Sequence, residues 1–582
     1  MRRLFVGLLA VVLSSGVLAG CAAIPTNTQP KPIDPSESRN NPVNAPQPAK
    51  DIDALTLVRD FVDASANPDG DFAEAKAYLT DDARKRWETK SPTIIDPGFS
   101  TVPTSQTPLD KQQVVLLQGK NLGRLEPDSS FVPLTTDLNV GIRVEKNADG
   151  QWRISEPPDG VYMTQSRFLE NYKRVTLYFY NPEFTVLVPD ARYIVIPPST
   201  GIPQRVSELL VRGPGVGVRG ALFSALGERA GFHAATKEAD DGALEVNLSK
   251  LGDLTPQSRK QIVAQVVKSL SGVTSSRIRV LVEGAPILPD RREWRPSDVV
   301  AWSGESLITP NPDERGMIVA GGSVRSFGDG NPIKGPAGDG SYNAVSGAQS
   351  LDGSRLAVVG KAGNGMRLLV GDKDQGLAEV ALPSASLTRP TWLVSGEARQ
   401  PSNEVWTVAD GTNVARVTRS DNGVWTASAV NTAELSGFGQ ITELRLSRDG
   451  TRVGMVIGGK LYVAAVVRNP QDASVSIRTP RQLLPSVLGA AVQSLDWLSQ
   501  DVMVVSSSLP ANPVTRVYLD GSKYERYNQS NLTVPVTSVT AAVSRAVIAV
   551  DHSGLWTASD ITDVWRSTGV RPEGDVVVFY PG

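Results

Sequence analysis

The sequence has 582 residues, of which 40% are apolar and 21% charged, and its formal net charge is −2. This composition is typical of a soluble globular protein, and at about 100–200 residues per domain the length predicts three or four domains. The near-neutral charge argues against a nucleic-acid partner, which usually needs a basic patch. Cys21 is the only cysteine, so the chain after it has no disulfide, thiolate metal site or cysteine nucleophile.

Residues 1–20 have the pattern of a lipoprotein signal peptide. Arg2 and Arg3 precede an apolar run from Leu4 to Leu18, which is too short for a comfortable membrane-spanning helix. The run ends in Leu-Ala-Gly-Cys, which resembles a bacterial lipobox, where the cysteine is acylated and the chain is cut just before it. We therefore predict a diacylglycerol and palmitoyl anchor at Cys21. An ordinary signal peptide that happens to end near a cysteine is the alternative.

Residues 21–50 read as a tether between the anchor and a globular body. Seven prolines lie in this segment among Asn, Gln, Ser and Lys residues. Such a composition cannot bury a core and favours extended, polyproline-like conformations. No later apolar run reaches 18 residues, so no second membrane span is predicted. The body is therefore expected on the extracytoplasmic face of the cell membrane.

Residues 51–170 predict a small α+β domain. Leu55, Val58, Phe61 and Val62 have helical spacing, and residues 71–90 form a second helical stretch. Three runs with strand-like alternation follow, "QVVLLQG", "LNVGIRVEK" and "QWRISEPP", with a hairpin turn at 147–150. Helices followed by an antiparallel sheet resemble a cystatin or NTF2-like domain.

Residues 171–290 predict a second α+β domain. Two strands, "RVTLYFYN" and "RYIVIPP", precede a helix around Val206 that ends at Gly213-Pro214. A second helix has Thr255 as N-cap and Pro256 at its first position, and its apolar stripe ends at Leu270. The order "LYFYN", Arg192, "ELLVRGP", "LEVNLS" and "VLVEG" resembles a GerMN domain. That resemblance implies an extracytoplasmic binding or assembly module without catalytic residues.

Residues 296–582 predict an all-β propeller. Short β-rich runs alternate with turn residues, and a Ser-x-Asp-Gly-x-Arg motif at 350–356 recurs at 447–453. Two repeats of about 48 residues would span that interval, and repeats of ~40–50 residues with several strands each indicate propeller blades. Six blades fit the segment best, with five or seven as alternatives. A β-sandwich is the competing fold, and the repeat pattern argues against it.

The glycines of "RGPGVGVRG" have the spacing of a dinucleotide-binding motif. Gly215, Gly217 and Gly220 would need a strand before them and a helix N-terminus after them. A helix precedes them instead, so we interpret the segment as a loop and predict no cofactor.

Catalytic and metal-binding patterns are weak. The two histidines, His233 and His552, have no placed partners in the sequence, and Asp551-His552-Ser553 are adjacent residues, whose side chains alternate in a strand. The pairs Asp240/Asp241 and Asp372/Asp374 read as solvated turns rather than as glycosidase carboxylates. Most tryptophans of the propeller segment lie in strand-like stretches of sequence, which indicates that they pack within the blades. No catalytic, metal or cofactor site is predicted, and Cys21 is the single site residue.

The lipobox, tether, α+β domain, GerMN-like domain and propeller, in that order, resemble the LpqB family of actinobacterial lipoproteins. The "LYFYN…ELLVRGP…LEVNLS" run and the "LSRDGTR" motif carry the most specific likeness. The resemblance implies a non-enzymatic accessory of the MtrA–MtrB two-component system. It would bind the extracytoplasmic sensor domain of the histidine kinase MtrB and modulate signalling in cell envelope homeostasis and division. An envelope scaffold, a protein with a glycan or peptide in the propeller mouth, and a propeller glycan hydrolase are the alternatives.

Overall fold

The computed structural model describes residues 46–104, 111–196, 201–394, 400–570 and 575–582. From Gln47 to Gly582 the chain forms one compact unit. The predicted signal peptide, Cys21 and nearly all of the predicted tether lie outside the described residues. Within those residues, no helix is both long and apolar enough to cross a membrane.

The first domain packs short helices against a mixed sheet. The helices are α1 (Ala54–Ala64), α2 (Asp69–Lys76), α3 (Asp81–Arg86) and α4 (Gln165–Asn171), and the strands are β1 (Thr93–Ile95), β2 (Ser100–Pro103), β3 (Gln112–Leu125), β4 (Phe131–Pro133), β5 (Asp137–Lys146), β6 (Trp152–Glu156) and β7 (Tyr162–Thr164). The sheet order is β6-β5-β3-β1-β7, with β2 and β4 also paired to β3. Only β1 and β7 run parallel.

Helix α1 forms where the apolar spacing predicts it. Asp53 caps the helix by accepting hydrogen bonds from the amides of Leu55 and Thr56. Val58, Phe61 and Val62 are fully buried in the core that α1 shares with the sheet. The three predicted strands are confirmed as β3, β5 and β6, and the turn predicted at 147–150 joins the last two.

The second domain combines a hairpin with a four-stranded sheet and two helices. Its elements are β8 (Tyr172–Tyr180), β9 (Leu187–Val195), α5 (Ile202–Arg212), β10 (Gly231–Glu238), β11 (Leu244–Ser249), α6 (Pro256–Leu270), β12 (Ile278–Val282) and β13 (Ala285–Pro286). The sheet order is β10-β11-β12-β13. Strands β11 and β12 are parallel, and α6 supplies the crossover that parallel strands require.

The start of α6 confirms the capping prediction. The Thr255 hydroxyl accepts a hydrogen bond from the amide of Ser258, and Pro256 occupies the first helical position. A 3-10 helix (Pro296–Val299), α7 (Val300–Ser303) and α8 (Glu305–Ile308) follow the domain, and Val299 and Ile308 are buried in its core. The propeller boundary at residue 296 stays a prediction, since the next strand begins only at Met317.

Six antiparallel sheets follow one another from Met317 to Phe579, with α9 (Pro485–Leu488) between two of them. Their strands are β14 (Met317–Ala320), β15 (Ser323–Ser326) and β36 (Val577–Phe579); β16 (Ala344–Gln349), β17 (Arg355–Ala362), β18 (Gly365–Asp372) and β19 (Ala378–Glu379); β20 (Thr391–Trp392), β21 (Glu404–Ala409), β22 (Asn413–Arg419) and β23 (Trp425–Ala429); β24 (Ile441–Leu446), β25 (Arg452–Ile457), β26 (Lys460–Arg468) and β27 (Val475–Gln482); β28 (Val492–Trp497), β29 (Val502–Ser507), β30 (Val514–Tyr518) and β31 (Tyr524–Arg526); β32 (Ser538–Thr540), β33 (Val547–Asp551), β34 (Gly554–Ala558) and β35 (Arg566–Ser567).

The sheets form a closed propeller. The late strand β36 pairs with β14, so the first sheet contains the last strand. The first strands of neighbouring sheets contact one another in a ring, and apolar clusters lie between adjacent sheets. Four tryptophans, Trp392, Trp406, Trp497 and Trp565, are almost completely buried, and each indole N–H donates to a protein oxygen. These residues have the packing role that the sequence indicates.

A buried charge cluster fills the centre where the first strands meet. It contains Arg389, Arg445, Arg448, Glu443 and Asp496. Arg389 donates to Glu443 (3.0 Å) and to the carbonyl oxygens of two other sheets, and Arg448 donates to two further carbonyl oxygens. Where this cluster lies, the centre of the propeller is therefore occupied by the protein's own side chains.

Candidate functional site: the cleft where three domains meet

The glycine-rich segment 213–220, here called the junction loop, lies between α5 and β10. Gly213 ends α5 with φ 89°, a conformation that glycine adopts without strain. Gly215 and Gly217 differ from Gly213 because the guanidinium groups of two arginines lie next to them. A Cβ on Gly215 would lie 2.8 Å from Nη2 of Arg192, and one on Gly217 would lie 3.5 Å from Cζ of Arg481.

The junction loop is bonded to all three domains. The amide of Val216 donates to Asp128 of the first domain (2.8 Å). The amide of Gly215 donates to Asp190 of the second domain (3.0 Å), and the carbonyl of Gly217 accepts from the hydroxyl of Thr479 in the propeller (2.7 Å). The loop therefore fixes the position of the three domains relative to one another.

Asp190 and Arg192 form a buried ion pair under the loop. The pair lies on β9 with an N–O distance of 2.6 Å, and Arg192 is only 1% exposed. Burial alone would raise the pKa of Asp190, but the guanidinium groups of Arg192 and Arg452 and the Gly215 amide together outweigh it and hold the pKa below its ordinary value. Asp190 is thus ionised and engaged by both Arg192 and the Gly215 amide.

A second ion pair joins the hairpin β8–β9 to the propeller. Arg174 donates to Asp520 (2.8 Å) and to Asp501 (3.4 Å), and Tyr193 is hydrogen-bonded to Ser522. Burial would lower the pKa of Arg174, but the two carboxylates outweigh it and raise the pKa. This contact spans more than 320 positions of the chain and closes one side of the junction.

These elements enclose a cleft of about 300 Å³, here called the junction cleft. Residues of all three domains line it, among them Phe131, Pro189, Val216, Arg452, Arg481 and Leu519. Arg452 reaches it from β25 and donates one nitrogen, Nη2, to the carbonyl of Pro189 (2.6 Å). Arg481 reaches it from β27 beside Thr479.

Replacing Gly215 with alanine is expected to lower the free energy of unfolding by about 1–3 kcal/mol, because the added carbon meets a guanidinium that the Asp190 pair holds in place. Denaturant unfolding followed by tryptophan fluorescence measures the loss. Gly272→Ala is the matched control, since nothing lies within 4 Å of its added carbon. Equal stability of the two variants would contradict a tightly packed loop.

Two comparisons with known proteins identify the family. The chain matches family models described as the N-terminal domain of lipoprotein LpqB, over residues 47–169, and the lipoprotein LpqB beta-propeller domain, over residues 321–575. Lipoprotein LpqB of Rhodococcus jostii is 30% identical over 570 residues, covering 93% of this chain and 91% of the relative. The chain belongs to the LpqB lipoprotein family. Lipoprotein LpqB of Mycolicibacterium smegmatis is also 30% identical, covering 98% of this chain and 96% of the relative.

A likeness among solved structures covers less of the LpqB chain. The tandem GerMN domains of the sporulation protein GerM from Bacillus subtilis match 21% of this chain and 42% of that chain, at 17% identity and a TM-score of 0.17.

LpqB membership implies a membrane-anchored lipoprotein and confirms the family resemblance read from the sequence. Cys21 lies outside the described residues, so its lipidation stays a prediction. The tether stays a prediction for the same reason.

The two histidines lie in different domains of this LpqB structure. His233 is half-exposed and paired with Glu283 (2.8 Å), and His552 is exposed in the turn between β33 and β34. Asp551 accepts from Ser553, Trp556 and Thr533. Among the described residues, no group of three His, Cys, Asp or Glu side chains is placed to hold a metal ion.

One carboxylate of each candidate pair lies near an arginine. Asp241 pairs with Arg279, and Asp372 lies 3.4 Å from Arg355. Neither carboxylate faces the junction cleft.

The sequence reasoning missed the charged residues of the junction cleft. The "RDGTR" motif does contain Arg452, but as a repeated turn signal rather than as a contact. Arg174, Asp190 and Arg481 carry no local pattern. One available signal was Gly215, where the Arg192 guanidinium leaves no room for a side chain.

Proposed function

We propose that this LpqB protein is a lipid-anchored accessory that binds the extracytoplasmic sensor domain of the histidine kinase MtrB and modulates MtrA–MtrB signalling. It would act without enzymatic activity of its own, in cell envelope homeostasis and division. In this proposal Cys21 carries the diacylglycerol and palmitoyl groups, and the tether holds the body at the outer face of the membrane. The first domain is of the NTF2 or cystatin type, the second is GerMN-like, and the six sheets are the six blades.

The observation that carries the proposal is the junction cleft. Ion pairs and hydrogen bonds from Asp128, Arg174 and Thr479 hold the three domains together at one place. A body fixed in this way can present surfaces of several domains to one partner in a constant geometry. Such a body suits an adaptor, whose effect depends on docking rather than on chemistry at a single pocket.

Membrane anchoring supplies the second part of the mechanism. A lipid-anchored protein is confined beside the outer domain of a membrane kinase, so a modest interface suffices for binding. A change in kinase output requires that the accessory bind two conformations of the sensor domain with different affinities. The kinase conformation that binds more tightly is then the one that the accessory favours.

The test compares two forms of the protein for binding to MtrB in nanodiscs. Both the lipid-anchored full chain and the compact unit 47–582 are expected to bind the sensor domain. The anchored form should act at bulk concentrations about 10²–10⁴-fold lower, because tethering raises its effective concentration. The sensor domain of an unrelated kinase is the control.

Absence of binding by both forms at high micromolar concentration, with all partners shown to be folded, would contradict the proposal. An envelope scaffold or a glycan-binding or peptide-binding lipoprotein would then be favoured. Binding without any change in autophosphorylation of MtrB would contradict the signalling part alone.

A further inference from the structure

The junction cleft contains a buried guanidinium nitrogen without a partner. Arg452 is only 5% exposed. Its Nη2 donates to the carbonyl of Pro189, but its Nη1 has no hydrogen-bond partner among the described residues. A buried donor left unpaired is costly, and in native proteins such groups usually meet a partner or a ligand.

Arg481 is a second cation in the same cleft. In the described parts of the chain, no carboxylate lies within ion-pair distance of its guanidinium, and no hydrogen bond engages it. Burial and the nearby Arg452 lower its pKa, and the charges of Asp190 and Asp520 offset only part of that effect. Among the described residues, Nη1 of Arg452 and the guanidinium of Arg481 therefore line one cleft without a hydrogen-bond partner.

The carboxylates of the cleft wall are already engaged. Asp190 accepts from Arg192 and from the Gly215 amide. Asp501 and Asp520 both accept from Arg174. The donors that stay free belong to Arg452 and Arg481, and both have the chemistry to hold an anion.

We propose that the junction cleft is a binding site for the phosphate group of a small anionic molecule. The free donors belong to two side chains on different strands of one sheet, β25 and β27. A tetrahedral phosphate presents several oxygens and can accept from both, whereas a planar carboxylate suits the fork of a single arginine. The cleft volume of about 300 Å³ fits a compact phosphoester.

The position of the cleft gives the ligand a structural consequence. A phosphate held by Arg452 and Arg481 would lie beside the junction loop and beside Phe131 of the first domain. It would add bonds where the three domains meet. The phosphate-bound form is therefore expected to unfold at a higher temperature than the free form.

The test uses the lipid-anchored full chain in detergent, titrated with inorganic phosphate and with glycerol 3-phosphate at constant ionic strength. Calorimetry and thermal unfolding are expected to report saturable binding at one site. Arg481→Met should weaken that binding about 10–100-fold, because it removes a charge-assisted donor. Arg478→Met is the matched control on the same strand, since Arg478 is exposed and pairs with Glu434 outside the cleft.

Two further arms identify the source of the phosphate. Mixed micelles containing phosphatidylglycerol are compared with micelles containing phosphatidylcholine alone. If phosphatidylglycerol gives saturable, Arg481-dependent stabilisation and glycerol 3-phosphate does not, the ligand is a lipid headgroup. If glycerol 3-phosphate stabilises the protein and phosphatidylglycerol does not, the ligand is a soluble phosphoester. The proposal is overturned if neither source binds, or if Arg481→Met and Arg478→Met weaken binding equally. Because Arg481 makes no ion pair, folding of its variant is expected to be unimpaired, which thermal unfolding without ligand verifies.

Discussion

Replacing Asp496 with asparagine is expected to lower the free energy of unfolding by about 3–5 kcal/mol. Three arginines and two carboxylates are enclosed at the propeller centre, and Asp496 is a shared counter-charge to those arginines. Burial would raise the pKa of Asp496, but Arg445, Arg389 and Arg448 outweigh it and hold the pKa below its ordinary value. Asparagine keeps the shape but removes the charge, so the buried arginines lose a compensating charge.

The other carboxylate of the cluster is Glu443. Burial raises the pKa of Glu443 despite the nearby Arg389. Burial also lowers the pKa of Arg445, to about 10, which indicates how strongly the site disfavours unbalanced charge. Asp496, whose pKa is lowered, is therefore the carboxylate of the cluster that more clearly holds a negative charge.

Denaturant unfolding monitored by the buried propeller tryptophans measures the effect of Asp496→Asn. Asp421→Asn is the matched control, because Asp421 is exposed in the hairpin between β22 and β23, and its effect should stay within about 0.5 kcal/mol. If both variants unfold at the same denaturant concentration, the central cluster makes no net contribution to stability.

Local patterns in the sequence were sufficient to predict many elements of the fold. Helix α1 follows from the spacing of its apolar residues, and the start of α6 follows from Thr255 and Pro256. The two Ser-x-Asp-Gly-x-Arg copies form the same turn, in which the serine hydroxyl bonds the aspartate and accepts from the arginine amide. Patterns of this kind act within about five residues, so they can be read without a structure.

The same repeated motif shows where sequence reasoning stops. Arg355, in the first copy, bonds Ser402 and Asn403 of the neighbouring sheet. Arg452, in the second copy, instead bonds Pro189 of the second domain. The two arginines are equivalent in the repeat, and only the packing of a distant domain makes one of them part of the junction cleft.

The contacts of the junction cleft join residues that lie far apart in the chain. Thr479 is 262 positions from Gly217, and Arg174 is 346 positions from Asp520. No local spacing predicts such pairs. The helix before Gly215 and Gly217 argues against a dinucleotide site, but no local pattern shows that the guanidinium of Arg192 leaves no room for a Cβ on Gly215.

Replacing Arg192 with methionine is expected to lower the free energy of unfolding by about 3–5 kcal/mol at pH 7. Arg192 is the main counter-charge of buried Asp190, and methionine has a similar length but no charge. The double variant Arg192→Met/Asp190→Asn should lose less stability than the sum of the two single variants, because it leaves no unpaired carboxylate. Arg219→Met is the control on the same loop, since Arg219 is exposed.

The pH dependence of Arg192→Met supplies a second test of the same pair. In the unsubstituted protein the folded-state pKa of Asp190 lies below its ordinary value of 3.8, so the stability that the pair contributes is present above that pH and is lost on acidification. Without Arg192, burial raises the pKa of Asp190 above the unfolded value, and protonation then relieves the unpaired charge. The stability difference between the two proteins should therefore narrow as the pH falls from 7 towards 5.

Denaturant unfolding at pH 7 and at pH 5 is measured for the unsubstituted protein, the two single variants Arg192→Met and Asp190→Asn, and the double variant. A difference that does not change with pH, together with additive single variants, would mean that Arg192 stabilises the domain by packing alone. A narrowing difference with a positive coupling would assign the effect to the ion pair.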